Sequence, residues 1–390
     1  MSPGAVTTGA VTPVPPDGRV LVVGGSIAAA TAARALRGRG HTGPVTLVSG
    51  ERHPPYARPP LSKGVLTGTE EPGSAQLPDL ADVELRLGVP AAGLDVAARR
   101  VTLADGTTLD WDGLVVATGA RARTIPGAEA AGARTLRDLD DARELGALVR
   151  GARSVVVVGG GPLGMEVASV ARDLGARVTL VSDVPPLRAL MGDHVSRLLV
   201  AAAEAAGVTV VTEPVRELLA RDGGGTTAVL ASGHRVEGDA VLVAVGCRPN
   251  VEWLAGSGLD VGPGGLVVDE FLRAGPGVVA AGDVVAHPHP VGALRTPYWS
   301  NAVDQAMAAV DALVEAEPAP FRARPYFWTE QFGHSVKLVG ALPDVGEPEE
   351  VASAAGTVLR WRGPDGVPTG VAAIDCPLSV PRLRRLLAAG

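Results

Sequence analysis

The chain of 390 residues carries a net charge of −7, which argues against bulk nucleic-acid binding. Apolar residues make up 46% and charged residues 20%, a globular composition with ample core for two or three domains. No apolar run reaches membrane-spanning length, and the two cysteines, Cys247 and Cys376, lie far apart with no C-x-x-C. That spacing excludes a local redox disulfide and a cysteine-rich zinc site, and it fits a reducing cytosol. Residues 1–17, rich in Pro, Gly and Thr, read as a disordered tail without the basic and apolar regions of a secretory signal. The expectation is a soluble cytoplasmic protein, monomer or homodimer, that binds neither nucleic acid nor membrane.

Arg19–Val23 reads as a strand running into a glycine turn and an Ala-rich helix, Ala28–Leu36. Gly24 and Gly25 open a degenerate dinucleotide-binding turn, in which Ser26 stands for a second glycine and Ala29 for a third. Small residues still permit close approach. A second strand, Val45–Val48, follows, and Glu51 just beyond it is spaced to hydrogen-bond an adenosine ribose. A solvated loop glutamate is the other reading of that spacing. The segment His53–Lys63, HPPYARPPLSK, is stiffened by prolines that block helix until after Pro60. Lys63 is one of only two lysines, the other being Lys337.

The chain is organised around SVVVVGGGPLGMEV, Ser154–Val167. Val155–Val158 suits a strand buried on both faces, and Met165–Leu174 reads as the following helix. Between them, Gly159, Gly161 and Gly164 fall at the G-x-G-x-x-G spacing, with Pro162 inside the turn. The first glycine permits the turn, the second lets a pyrophosphate approach the backbone, and the third lets helix and strand pack closely. The pyrophosphate then rests on the helix N-terminus. A glycine-rich turn in a nucleotide-free α/β domain is the alternative. Two such units point to two dinucleotides; on these residues alone, one binary site or a duplicated scaffold stays open.

Glu166 follows the last glycine closely, either aimed at a cofactor or as a first-turn carboxylate favoured by the helix dipole. Beyond the unit's second strand, Arg177–Val181, stand Ser182, Asp183 and then Arg188. Asp183 can reach a ribose diol and repel a 2′-phosphate, whereas Arg188 argues for NADPH. The balance favours NADH, with NADPH the alternative. The loop His287-Pro288-His289-Pro290 has no partner ligands at recognised spacing, so no metal site is expected. Ser335–Val339, Thr357–Trp361 and Val371–Ile374 read as antiparallel strands, and PRLRRLLAAG as a short basic helix.

Further stretches carry a family resemblance: PYARPPLSK at Pro55–Lys63, the strand end Ala117-Thr118-Gly119, and DAVLVAVGCRPN with Gly246. To these are added VVAAGD ending in Gly282 and Asp283, WSNA at Trp299–Ala302, and PYFWTEQ containing Trp328. Together they resemble the FAD-dependent ferredoxin reductases, the putidaredoxin- and rubredoxin-reductase-like flavoproteins of the pyridine nucleotide–disulfide oxidoreductase superfamily. The resemblance implies an α/β fold with two Rossmann-like dinucleotide-binding domains, for FAD and NAD, and a C-terminal α+β cap. It divides the chain into residues 18–120 and 239–318 for FAD, 121–238 for NAD(P) and 319–390 for the cap. Arg58, Pro59 and Lys63 would lie at the flavin, Glu166 near the nicotinamide and paired with Lys63, and Trp328 near the flavin face. Lys63, Glu166 and Trp328 are the implied catalytic residues. Asp283 would accept a ribityl hydroxyl bond, and the helix containing Trp299 and Ala302 would point its N-terminus at the flavin.

The implied activity is electron transfer from NAD(P)H through FAD to a [2Fe–2S] ferredoxin serving a cytochrome P450 or dioxygenase. Arg382, Arg384 and Arg385 could offer such an acidic carrier local complementarity, but a solvated basic helix end is the stronger reading of them. Ala57, Ser182, Pro297 and Tyr298 depart from the family's polar pattern. Those at Ala57, Pro297 and Tyr298 keep open a flavin enzyme acting on a small molecule or O₂; a different class again is an FAD-holding protein whose redox state controls binding.

Overall fold

The structure is a computed structural model that describes residues 13–289, 292–343 and 346–389. The tail's residues 1–12 and Pro290 of the histidine–proline loop lie outside them. Helices α1 (Ile27–Gly38), α2 (Leu139–Gly151), α3 (Pro162–Asp173), α4 (Arg188–Ala205), α5 (Trp299–Val314) and α6 (Val380–Ala388) alternate with strands in a mixed α/β arrangement. The chain divides into two compact units, Met1–Ala57 with Gln76–Arg121 and Arg248–Ala323, and Arg58–Ala75 with Ala122–Cys247 and Arg324–Gly390.

Unit 1 is built on a six-stranded sheet in the order Arg273–Gly275, Val278–Ala280, Gly113–Val116, Val20–Val23, Val45–Ser49, Glu84–Leu87. Beyond the antiparallel Arg273–Gly275 edge its four pairings run parallel, with Val20 opposite both Gly113 and Val45. Parallel strands are covered on both faces, which explains why VLVV and GLVV are apolar at every position and buried throughout. α1 presents Ala28, Ala29, Ala32, Ala33 and Leu36 to the core, small side chains that let it lie close to the sheet. Residues 13–17, at the end of the expected tail, are held: Val14 is buried and its N–H donates to Leu313 O at 3.0 Å.

Unit 2 carries a second parallel sheet, Thr209–Thr212, Arg177–Ser182, Ser154–Val158 and Ala240–Val243, with every residue of Val155–Val158 buried. A five-stranded antiparallel sheet follows, Tyr326–Gln331, His334–Gly340, Pro368–Ile374, Thr357–Arg362 and Glu349–Val351, backed by α6 through Leu383. The expected C-terminal strands are all present, each longer than the alternation alone indicated.

Two boundaries correct the sequence reading. α3 begins at Pro162, not Met165, because proline suits the first helical turn, where its missing N–H would have no partner. For the same reason the prolines after Arg58 do not bar helix: Pro59–Ser62 is a 3₁₀ turn starting on a proline, followed by one α-turn, Gly64–Thr67. Arg58–Ala75, sequence-adjacent to the first glycine unit, groups with unit 2.

Candidate functional site

In the second glycine turn, each glycine has its own physical reason. Gly159 has φ +115°, and a Cβ there would meet Ala244 O at 2.3 Å. At Gly164 a Cβ would fall 1.9 Å from Gly159 O, so only hydrogen lets α3 pack on the turn. At Gly161 a Cβ would meet nothing within 4 Å. The middle position is therefore an open cradle at the start of a helix whose N-cap, Gly161 itself, supplies no side-chain cap and whose first turn holds no acid. The first N–H groups of any helix have no acceptor within it, so a turn of this kind suits an anion. α2 shows the contrast: Asp138 accepts from Asp141 N, and acids fill its first turn.

Unit 1 repeats the arrangement with tighter packing. Gly24 has φ +142°, and a Cβ would meet Ala117 O at 2.1 Å; at Gly25 it would meet Ser49 Oγ at 2.2 Å. Ser26 is the N-cap of α1 without capping it, its Oγ instead donating to Tyr56 O at 3.4 Å, and α1 too has no acid in its first turn. Ala29 is fully buried, filling the third-glycine position. Glu51 accepts a hydrogen bond from the hydroxyl of buried Tyr56, so its carboxylate is oriented rather than loose in a solvated loop. Gly282, at φ +85°, lies where a Cβ would be 3.2 Å from Ala28 and 3.6 Å from Ala302, bringing the Gly282–Asp283 turn against the first turns of α1 and α5. Gln305 Oε1 holds Gly282 N at 2.8 Å. Trp299, beginning α5, is exposed, and buried Asn301 donates to Thr296 O at 2.9 Å. Burial pushes the Tyr298 phenol up, so this N-cap residue stays a neutral hydroxyl. The strand ends meet reciprocally: Thr118 Oγ1 donates to Asn250 O at 2.8 Å, and Asn250 Nδ2 to Thr118 O at 2.9 Å, beside Gly119 at φ +63°.

In unit 2, Glu166 is buried in the second turn of α3, which removes the reading of a first-turn carboxylate. Lys63 Nζ and Ser62 Oγ donate to its Oε2 at 2.7 and 2.5 Å, and Thr329 Oγ1 to its Oε1 at 2.7 Å. The Lys63 and Glu166 side chains are 24% and 8% exposed, so most of the pair's charge is out of water. A buried carboxylate stripped of its cation is costly, which makes the pair a deliberate fixture. Arg58 NH1 donates to Arg137 O, and Pro59 O accepts weakly from Lys63 at 3.5 Å. Trp328 stacks on Tyr326 with ring centroids 5.7 Å apart at 15°.

The strand Arg177–Ser182 ends at the residues expected to face the second nucleotide. Ser182 is buried and its Oγ accepts from Gly160 N at 3.2 Å, so the side chain braces the turn. Asp183, the next residue, is exposed. Arg188 opens α4 and lies 3.8 Å from Asp193. Gly246, at φ +96°, accepts Arg123 N at 2.9 Å through its carbonyl.

The sequence profile of the pyridine nucleotide-disulphide oxidoreductases matches residues 18–311. The chain belongs to this family. It is 37% identical over 390 residues to the ferredoxin--NAD(+) reductase component of an anthranilate 1,2-dioxygenase system from Burkholderia cepacia, covering 95% of this chain and 94% of the relative. It is 36% identical to rhodocoxin reductase from Rhodococcus erythropolis, over 82% of this chain and 78% of the relative. Among solved structures, putidaredoxin reductase in its covalent complex with putidaredoxin superposes with a TM-score of 0.86 at 27% identity, covering 95% and 92% of the two chains.

As a member of the pyridine nucleotide-disulphide oxidoreductases, the chain is an oxidoreductase. Its two glycine turns fit dinucleotides: each opens an uncapped helix, and the second leaves its middle glycine facing free space. Sequence reasoning missed Tyr56, Ser62, Thr329 and Asn250 as supporting residues. Tyr56 and Ser62 lay in plain view inside PYARPPLSK, but nothing local says that a tyrosine reaches back to Glu51 or a serine across to Glu166. No helix among the described residues is long and apolar enough to cross a membrane.

Proposed function

We propose that this protein is a flavin-dependent ferredoxin reductase. Unit 1 holds FAD, unit 2 holds NADH, and electrons leave to a [2Fe–2S] ferredoxin that serves a cytochrome P450 or dioxygenase. The observation that carries the reading is the pair of uncapped glycine-turn helices in a chain whose two cysteines are too far apart in sequence for a C-x-x-C centre. A chain that holds two redox dinucleotides and no dithiol of that type has to pass its electrons outward. The relatives' names supply the acceptor: they are ferredoxin reductase components of oxygenase systems.

When bound, FAD supplies the conversion of a two-electron hydride donor into single-electron steps. The chain's residues do the rest. Gly24, Gly25 and Ser26 would seat the flavin dinucleotide's pyrophosphate on α1, Glu51 the adenosine ribose, and Asp283 the ribityl chain. Ala117, Thr118, Gly119 and Gly246 form the strand ends that return the chain to the cofactors, and Trp299 and Ala302 begin the helix whose positive end favours negative charge on a reduced ring. Gly159, Gly161, Pro162 and Gly164 would seat the nicotinamide dinucleotide on α3. Lys63 holds a fixed positive charge on Glu166, and with Arg58, Pro59 and Trp328 it forms the group assigned to the reacting rings.

NADH is the favoured donor. With Ser182 turned inward, Asp183 is the acid left at the strand end, and its charge disfavours a 2′-phosphate. Steady-state rates with NADH and NADPH, measured with and without a [2Fe–2S] ferredoxin, test the proposal. Ferredoxin reduction driven by NADH supports it. Turnover with small-molecule acceptors or O₂ that ferredoxin does not stimulate supports the alternative flavin enzyme.

A further inference from the structure

Glu166 is held at both oxygens, and the two holds come from different segments. Ser62 and Lys63 take Oε2 from the Arg58–Ala75 segment, while Thr329 takes Oε1 from the strand Tyr326–Gln331. Thr329 is 0% exposed, and a threonine hydroxyl has one proton to give. Gln331 Nε2 donates to Thr329 Oγ1 at 3.2 Å, which fills an acceptor site on the hydroxyl and leaves its proton for the carboxylate. Gln331 is itself buried, so this chain of donors is shielded from water.

The strand has a separate anchor to the same helix. Phe332 N donates to Ser169 Oγ at 2.7 Å, and Ser169 lies three residues after Glu166 on the same helical face. That backbone contact docks the strand without help from Thr329. The terminal torsion of a glutamate is broad, so a carboxylate gripped at one oxygen swings freely, and a grip on the second removes that freedom.

We propose that Thr329, backed by Gln331, is a positioning residue that fixes the plane of the Glu166 carboxylate and, through it, the Lys63 ammonium. Replacing both the hydroxyl and the carboxylate by apolar side chains of the same volume would cost little stability, so stability alone does not explain the pairing. Its use is orientation. The inference rests on the reading that the Lys63–Glu166 pair serves the nicotinamide–flavin reaction.

The test uses FAD-loaded protein and the variants Thr329→Val, which keeps the shape and removes the donor, and Thr329→Ser, which keeps the donor. Three readouts are taken: the Glu166 carboxyl carbon resonance, assigned by its loss in Glu166→Gln; hydrogen-exchange protection of the Phe332 amide; and anaerobic flavin reduction against NADH concentration. In Thr329→Val the resonance moves, the Phe332 amide stays protected, and the limiting reduction rate falls about tenfold with little change in NADH half-saturation. Thr329→Ser returns the resonance and the rate toward those of the native protein. An unmoved resonance in Thr329→Val overturns the positioning claim, and so does a rate loss that Thr329→Ser shares or that accompanies lost Phe332 protection. If the native protein is not reduced by NADH while the resonance still moves, the reductase reading fails and the orientation of Glu166 by Thr329 stands.

Discussion

Lys63 and Glu166 are 103 positions apart and meet at 2.7 Å in a mostly dry environment. Replacing Lys63 by Met removes the cation and leaves Glu166 with hydroxyl donors only. Unfolding free energy should fall by about 3 kcal/mol, the usual cost of orphaning one member of a buried pair. Denaturant melts check this, and Lys63→Met combined with Glu166→Gln should recover most of the loss. Tyr56 offers a second case. Tyr56→Phe deletes the hydroxyl that orients Glu51, and FAD affinity should drop roughly tenfold, as for loss of one hydrogen bond to a charged group. Fluorescence titration of the apoprotein with FAD measures it. Unchanged affinity would remove Glu51 from the ribose role.

At the scale of elements, the glycine turns separate folding from binding. Gly164→Ala drives a Cβ into Gly159 O and should cost about 2–3 kcal/mol of stability. Gly161→Ala points its methyl into open space at an ordinary φ of −73°, so the melting temperature should hold while NADH binding weakens. Calorimetric titration alongside thermal melts distinguishes the two; equal loss of stability would mean that the cradle is a packing contact.

These elements were also the most legible. A run of four valines followed by G-x-G-x-x-G reads as a buried parallel strand, a glycine turn and a helix, and the structure has all three, with α3 starting at its proline and ending one residue earlier than expected. The Glu166 cluster was half legible. The family pattern pairs Lys63 with Glu166, but the Thr329 bond depends on which face of Tyr326–Gln331 meets α3, and alternation in YFWTEQ does not say. The Ser182 bond was not legible either: nothing local says that its hydroxyl accepts from Gly160 N across the turn. The break in α4 was not legible at all. Gly192 has φ +68° inside an otherwise helical pattern, and the position admits only glycine because a Cβ would strike Pro343 O at 2.4 Å, a neighbour far along the chain.

For the whole molecule, pH acts through the buried histidines and Asp112 in one direction, while Asp141, pushed up by burial and by Asp138, opposes them in the carboxylate range. Burial, then the nearby Arg37 charge, pulls His41 below the ordinary histidine value of 6.5, and burial likewise lowers His287. The unfolded chain therefore takes up these protons before the folded one does, so stability falls as pH drops below about 6.5. Asp112, held low by its bonds from Arg19, adds a loss below the usual aspartate range. Melting temperature should thus rise from pH 5 to pH 7.5, and His41→Gln should flatten the upper part of that rise. A melting temperature that is constant or falls over this range would contradict the assignment of His41 and His287 as buried and neutral.

The central claim is that two dinucleotides bound to one chain exchange electrons. Anaerobic stopped-flow absorbance of the FAD-loaded protein mixed with NADH, and separately with NADPH, tests it most directly. The account predicts rapid bleaching of the oxidised-flavin band by NADH and slower bleaching by NADPH, with the gap narrowed in Asp183→Ala. A flavin that stays bound and oxidised with both nucleotides would contradict the assignment of this protein as a nicotinamide-driven reductase.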